Sequence, residues 1–324
     1  MERDSILYKI RRKGQVIAQH IIPDEWMCKF YSRILLKKKV DLKNPKTFNE
    51  KIQWLKIHDY PNNQLVIQGA DKYRVRKYVQ EKGLENILVP MIAHWDNPEK
   101  INWDKLPDKF VLKCNHGCAY NILCADKSSF DKEDAVKKMK KWMKEDFGAF
   151  NIETHYSKIV PHITCEEYLG ECIIDYKFFC FNGEPKYIYV SSDLVHDRQA
   201  QIGFFYLDGT KMPLIRDDYA PMDIEELPPF FENMKKDAEV LCEDFPFVRV
   251  DFFVANNTYY FAELTFTPSG GMMPFNPDKY DLEWGENMDI SKIQERKNIR
   301  GGYDNVVMCI SRFPAVNELA REVA

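Results

Sequence analysis

Arg249, Asp251, Glu263 and Thr265 are the residues of this chain whose types and spacing point most directly to chemistry. They lie on two apolar runs, Arg249-Val250-Asp251-Phe252-Phe253 and Tyr260-Phe261-Ala262-Glu263-Leu264-Thr265. In a strand alternate residues share a face, so Arg249 lies with Asp251, and Glu263 with Thr265. Register decides whether the two pairs meet. A two-residue turn at Asn256-Asn257 pairs Asp251 with Ala262 and puts Glu263 on the opposite face. A three-residue loop, Asn256-Asn257-Thr258, with Asn257 in the left-handed region, pairs Asp251 with Glu263 and Arg249 with Thr265. In that register two carboxylates, a guanidinium and a hydroxyl converge. Like charges facing each other across strands are destabilising, unless a cation lies between them. Mg²⁺ shared with substrate phosphates is the simplest such cation. The plainer reading is an amphipathic hairpin in which Arg249 neutralises Asp251 on a solvated face.

A second candidate is Lys113, which ends the apolar run Phe110-Val111-Leu112 and precedes the loop Cys114-Asn115-His116-Gly117-Cys118-Ala119-Tyr120-Asn121. Such a loop can present backbone N–H groups to a phosphate while the lysine adds a point charge. Neither a Walker A pattern nor GxGxxG is present. A rival reading takes Cys114, His116, Cys118 and Cys124 as zinc ligands, although no second CxxC follows.

The elements that position these residues are legible in outline. Residues 1–60 read as mainly helical, with a capping-box pattern at Thr47-Phe48-Asn49-Glu50. A helix starts near Asp71 and stops at Gly83, and another opens at Asp131 with Ala135, Met139, Trp142 and Met143 as its core stripe. From about residue 160 strands dominate: Ile163 to Leu169, Tyr176 to Phe181, Lys186 to Val190 and Gly203 to Leu207, a helix from about 230 to 244, then the hairpin. Helices followed by antiparallel strands imply an α+β fold. A net charge of −4 over 324 residues argues against a nucleic-acid partner. Nine cysteines without a disulfide framework suit a reducing compartment, and Met1-Glu2-Arg3-Asp4 lacks the apolar start of a signal peptide, so a cytoplasmic protein is expected.

Taken in order, these motifs resemble the ATP-grasp superfamily, and most nearly its TupA-like branch, named for teichuronopeptide biosynthesis. The likeness covers about residues 45–275 and is carried by Phe48-Asn49-Glu50-Lys51-Ile52-Gln53-Trp54-Leu55, Asp71-Lys72-Tyr73, Phe110 to Asn121, Glu166-Glu167-Tyr168-Leu169-Gly170, Tyr176-Lys177-Phe178-Phe179, Arg249-Val250-Asp251-Phe252 and Glu263 to Gly271. The resemblance implies two α+β lobes, 61–160 and 161–324, clamping ATP behind a helical region 1–60. Lys72 and Lys113 match its phosphate-side lysines, and the loop with His116, Gly117 and Asn121 its flexible flap. Glu166, Glu167, Tyr168 and Leu169 match the hinge that reads adenine, and Asp175 or Glu171 the ribose acid. Asp251 and Glu263 match the Mg²⁺ carboxylates and Arg249 the arginine beside the transferring phosphoryl. Thr265 stands where the family pattern has Asn. Lys177, on the face of Asp175, is an additional candidate for the chemistry.

The activity so implied is a carboxylate–amine ligase, acting through an acyl phosphate on a uronic acid of a capsular or cell-wall glycan, or on a sugar nucleotide, with a small amine or amino acid. Its rivals are a glycosyltransferase, whose acidic pair would have to be Asp217-Asp218, and a kinase acting on a hydroxyl. The stretches Lys9 to Lys13 and Arg33 to Lys39 mix basic and apolar residues. They read as solvated helix faces or, more sharply, as transient docking to the inner membrane surface.

Overall fold

The computed structural model describes residues 6–192, 200–217 and 219–295. Chain contacts divide the protein into two compact units, Met1–Met288 and Asp289–Ala324, and every sheet belongs to the first. Helices α1 (Ile6–Ile21) and α2 (Asp24–Leu35) lead into α3 (Phe48–His58), α4 (Gln64–Ala70) and α5 (Val75–Glu81). The expected capping box forms: Glu50 N donates to Thr47 Oγ1 at 3.3 Å and Thr47 N to Glu50 Oε2 at 3.1 Å. With its start fixed, α3 presents Phe48, Ile52 and Leu55 inward, and the Phe48 ring sits within 6.5 Å of Phe179, Phe181, Phe247, Phe275 and Trp284.

A four-stranded sheet follows, of β1 (Met91–Trp95), β2 (Phe110–Cys114), β3 (Asn121–Cys124) and β4 (Ile163–Glu167), in the order β1-β4-β2-β3. Ala135 and Met139 of α6 (Lys132–Trp142) pack into its core beside Phe110 and Leu112. The larger sheet contains β5 (Ile174–Phe181), β6 (Glu184–Ser192), β7 (Gln201–Tyr206), β8 (Ala220–Pro221), β9 (Phe247–Ala255) and β10 (Thr258–Thr265), in the order β10-β9-β5-β6-β7-β8. All strand pairs are antiparallel except β7 with β8, as the α+β expectation requires. Helix α7 (Phe231–Cys242) covers one face: Phe231 stacks on Phe178 at 5.5 Å, over Val248, Val250 and Phe252, which are fully buried. Helix α8 (Lys279–Glu286) closes the core through Trp284. Strand β1 was not anticipated: Pro90 and Asp96-Asn97-Pro98 bound it, but Met91-Ile92-Ala93-His94-Trp95 lacks a period of two.

The motif around α3 has a structural purpose. Asn49 Nδ2 donates to Met273 O and Met273 N to Asn49 Oδ1, both at 2.8 Å, while Gln53 Nε2 donates to Gly271 O at 2.8 Å. Lys56 Nζ bonds Asn151 O at 2.8 Å and Gly270 O at 2.6 Å. The helix therefore clamps the loop that leaves β10, whose Ser269, Gly270 and Gly271 have positive φ.

His155 is fully buried near Tyr60, ring centroids 5.7 Å apart, and neither ring nitrogen is hydrogen-bonded. Burial, aided by Lys56, pulls its pKa down to about 3. Between about pH 6.5, where an unfolded histidine titrates, and about pH 3, the unfolded chain binds this proton and the native one does not. Stability therefore falls as pH falls through that window, by about 1.4 kcal/mol per unit from this group. His155→Phe should flatten the acid limb of a urea-unfolding series between pH 7 and 4. Parallel curves for the two proteins would refute this assignment.

Candidate functional site

Three neighbouring strands place their charged residues on the face of the large sheet opposite α7. In the β5–β9 register Lys177 pairs with Asp251, and in the β9–β10 register Glu263 pairs with Asp251 and Thr265 with Arg249. The convergent register is thus present, but not by the expected route. The turn is the two-residue one, with Asn256 at φ 53° and Asn257 at φ 56°, whose primed geometry matches strand twist. The register shifts between Phe261 and Glu263, so that Ala262 is the extra residue of a bulge. The bulge, rather than a third loop residue, turns Glu263 toward Asp251.

The like-charge conflict is also resolved differently from expectation. Arg249 clasps Asp251 with both arms, Nε to Oδ1 at 2.7 Å and NH2 to Oδ2 at 2.6 Å, and also donates to Thr265 Oγ1 at 3.1 Å. Lys177 Nζ lies 2.7 Å from Asp175 Oδ1 and 3.4 Å from Asp251 Oδ2, and Lys72 Nζ lies 2.9 Å from Glu263 Oε2. Three carboxylates meet three cations in a buried, charge-balanced network. Burial opposes charge here, but at Lys177, Arg249 and Glu263 the partners prevail. Lys177 is held above its ordinary pKa by Asp175 and Asp251, and Arg249 by Asp251. Glu263, despite the burial that opposes its charge, is pulled down to about 2 by Lys72, Arg249 and Lys177. For Asp175 burial wins and its pKa is raised.

Oxygen donors suit Mg²⁺, and Glu263 and Thr265 face a cavity of about 930 Å³. The Glu263 side chain is 30% exposed and ionised, with Lys72 on Oε2 and Thr265 Oγ1 donating to Oε1 at 3.2 Å, whereas that of Asp251 is 1% exposed. The residues therefore fit one Mg²⁺ on Glu263 and Thr265. Asp251 lies directly behind them, its carboxylate held by Arg249 and Lys177. Among the described residues no group of three His, Cys, Asp or Glu is arranged for a metal, which removes the zinc reading. Cys114 is buried, which pushes its thiol up to about 12, and Cys124 is also buried.

Lys72 lies in the turn between α4 and α5, and Lys113 on β2 of the smaller sheet. Asp71 caps the turn into α5, accepting from Tyr73 N at 2.9 Å and Arg74 N at 3.1 Å, and takes Asn115 Nδ2 at 2.8 Å. Asn115 is fully buried and its Oδ1 accepts from His162 N at 2.6 Å. This lock sets Lys72 Nζ against Gly117 O, 3.0 Å away, as well as Glu263. Lys113 Nζ lies 2.6 Å from Glu166 Oε2, with Arg76 3.6 Å from Oε1, and 5.5 Å from the centroid of the Phe253 ring. Lys113→Met should weaken ATP binding by about one to two orders of magnitude, as expected for loss of a charge-assisted contact, in calorimetric titration. Unchanged affinity would sink the assignment.

Other expected contacts are placed differently. The His116 ring is buried, bonded to Trp142 O at 3.0 Å, and does not reach outward. Gly117 is required by close packing rather than flexibility: a Cβ there would lie 2.7 Å from the Tyr120 ring. Asn121 pairs with Lys113 across the β2–β3 ladder and is exposed. Glu167 N donates to Pro90 O at 3.0 Å and Leu169 O accepts from Asn256 Nδ2 at 3.3 Å, so two hinge backbone groups are spent within the protein. Tyr168 is half-buried beside them. Asp175, tied to Lys177, belongs to the charged network, while Glu171 stays exposed. Of the acidic pair the glycosyltransferase reading needs, Asp218 lies outside the described residues.

The cavity itself was not foreseen. Arg249, Glu263 and Thr265 form one wall, and Lys137, Lys138 and Lys141 of α6 and Arg12 of α1 add positive charge to its rim. Its far end carries Glu153, a carboxyl 5% exposed that accepts from Thr267 Oγ1 and Asn151 Nδ2 and is raised in pKa by burial. Neither Glu153 nor Arg12 lies in a motif whose spacing points to chemistry.

A family profile described as TupA-like ATPgrasp matches residues 50–289. No curated protein matches the chain. Among solved structures, similarity is found to a D-alanine–D-alanine ligase from Helicobacter pylori, at 13% identity, TM-score 0.43, over 75% of this chain and 69% of that one. A D-alanine–D-alanine ligase from Bacillus anthracis complexed with ATP matches at 16% identity, TM-score 0.38, over 61% and 55%. A phosphoribosylamine–glycine ligase from Thermotoga maritima matches at 11% identity, TM-score 0.40, over 64% and 51%. The chain thus spans little more than half the length of the last two.

Proposed function

Because this chain belongs to the TupA-like ATP-grasp family, we propose that it joins a carboxylate to an amine at the expense of ATP. The acid in this reading is a uronic acid of a capsular or cell-wall glycan, free or as a sugar nucleotide, and the amine an amino acid or amino alcohol. The observation that carries it is the position of Arg249: its side chain 15% exposed, fixed by Asp251 on one side, and lining the cavity on the other.

Each residue then has a task. Lys72 and Lys113 approach the nucleotide phosphates as point charges. Arg249, its Nε and NH2 held by Asp251, offers a preorganised cationic donor to a phosphoryl group passing from ATP to the carboxylate oxygen, where negative charge develops in the transition state. Lys177 holds Asp251 and Asp175 in place behind it. Glu263 and Thr265 would hold Mg²⁺, which when bound offsets the charge of the phosphates. Lys137, Lys138, Lys141 and Arg12 outnumber Asp134 and Glu145 in the same lining, and the surplus of positive charge suits an anionic acid substrate, whose fixed orientation lowers the entropic part of the barrier.

ATP with Mg²⁺ should raise the melting temperature by mass action on the native state, and a UDP-sugar alone should not. Panels of uronates and amines should then release ADP only when both partners are present. Stabilisation by UDP-sugar with indifference to ATP would favour a glycosyltransferase.

A further inference from the structure

The first two helices carry an apolar surface turned away from the protein. Helix α2 buries Met27, Cys28 and Ser32 and leaves Trp26, Phe30 and Ile34 on its opposite side, 71%, 56% and 55% exposed. Their spacing of four residues makes one continuous stripe. Helix α1 likewise turns Val16 toward the core around the smaller sheet and leaves Ile10, Ile17 and Ile21 exposed, again on one side. With Ile22 and Leu35, eight of the thirteen large exposed hydrophobics among the described residues lie between positions 10 and 35. Burial within a soluble chain would turn these stripes the other way; as they stand they mark a contact surface.

Charge identifies what the surface meets. Residues 10–39 hold eight Lys and Arg, namely Arg11, Arg12, Lys13, Lys29, Arg33, Lys37, Lys38 and Lys39, against only Asp24 and Glu25, in a chain whose net charge is −4. On α2, Lys29 and Arg33 sit beside the Trp26-Phe30-Ile34 stripe, at the edge where lysine and arginine stems extend toward headgroups. The rest of the protein is correspondingly acidic. An anionic bilayer attracts the basic apolar face and repels the body behind it, which fixes orientation. A second copy of the chain would set two strongly basic patches against each other.

We propose that α1 and α2 dock the protein on an anionic membrane surface, with Trp26, Phe30 and Ile34 entering the headgroup boundary and Lys29, Arg33, Lys37 and Lys39 meeting lipid phosphates, while Lys38 is paired with Asp278 and Asp281. No helix among the described residues is long and apolar enough to cross a membrane, so the contact is peripheral. This inference stands apart from the ligase reading, since it uses none of the residues assigned to the chemistry except the Arg12 that also lines the cavity rim.

The test uses the full chain and vesicles of phosphatidylcholine with and without about one-third phosphatidylglycerol. Co-sedimentation should occur with the anionic vesicles and be weak with neutral ones, and should fall as salt screens the attraction. The double variant Trp26→Glu, Phe30→Glu should lose at least tenfold in partitioning while keeping the native melting temperature and its shift with ATP. Should that variant fail to fold, brominated lipid quenching of tryptophan fluorescence in the native protein gives the same answer. Equal binding to neutral and anionic vesicles, no vesicle binding, or a concentration-dependent dimer that the variant abolishes would each overturn the proposal.

Discussion

Arg249→Lys is expected to lower turnover about 10²–10³-fold while ATP still raises the melting temperature. Lysine keeps the positive charge and so leaves Asp251 partnered, but it cannot reproduce a clasp made by Nε and NH2 together, nor at the same time reach Thr265. What is lost is the fixed direction of the donor at the cavity wall, and loss of one preorganised donor costs rate on this scale. Arg249→Met is the poorer experiment. It leaves a buried carboxylate with Lys177 alone, and breaking a buried pair costs about 3–5 kcal/mol of stability, so a fall in activity would mix folding with chemistry. Turnover within a few-fold of native in the lysine variant would remove Arg249 from the mechanism.

Asp251→Asn is expected to have the larger effect on stability, again about 3–5 kcal/mol. The substitution leaves Lys177 and Arg249 facing an amide in a fully buried position. The network then holds two carboxylates, Asp175 and Glu263, against three cations. Denaturant titration at neutral pH reads the loss directly, with the slope unchanged if only the native state is affected. Asp175→Asn makes the useful comparison: its carboxyl contacts Lys177 but not Arg249, so its cost should be smaller. Equal and small costs for both would mean the network is solvated rather than buried.

Much of this site was legible in sequence, for a physical reason. Strand alternation placed Arg249 with Asp251, and Glu263 with Thr265, before any coordinates, because the two-residue period of a strand is rigid. Register was harder. Asn256-Asn257 reads equally well as a two-residue or a three-residue connection, and the bulge at Ala262 depends on twist and on packing against α4 that a local pattern does not reveal. Lys56 illustrates a different limit: a lysine on an amphipathic helix reads as solvent-facing, yet it is 1% exposed and anchors Asn151 and Gly270. Its burial is compensated by carbonyls from segments about 95 and 214 residues away. Glu153 and the cavity escaped for the same reason, being assembled from α1, α6, β10 and the segment around residue 150. The exposed stripes of α1 and α2 were legible as amphipathic, but only the packing of Met27, Cys28 and Val16 shows which side faces out.

The measurement that bears most directly on the central claim is trapping with hydroxylamine. Protein, ATP, Mg²⁺ and an accepted uronate are incubated with hydroxylamine in place of the amine, and hydroxamate and ADP are quantified together. An acyl phosphate held beside Arg249 predicts hydroxamate in proportion to ADP with the native chain and little of either with Arg249→Lys. ADP released without hydroxamate, accompanied by a stable phosphorylated sugar, would contradict the ligase account and identify a hydroxyl kinase instead.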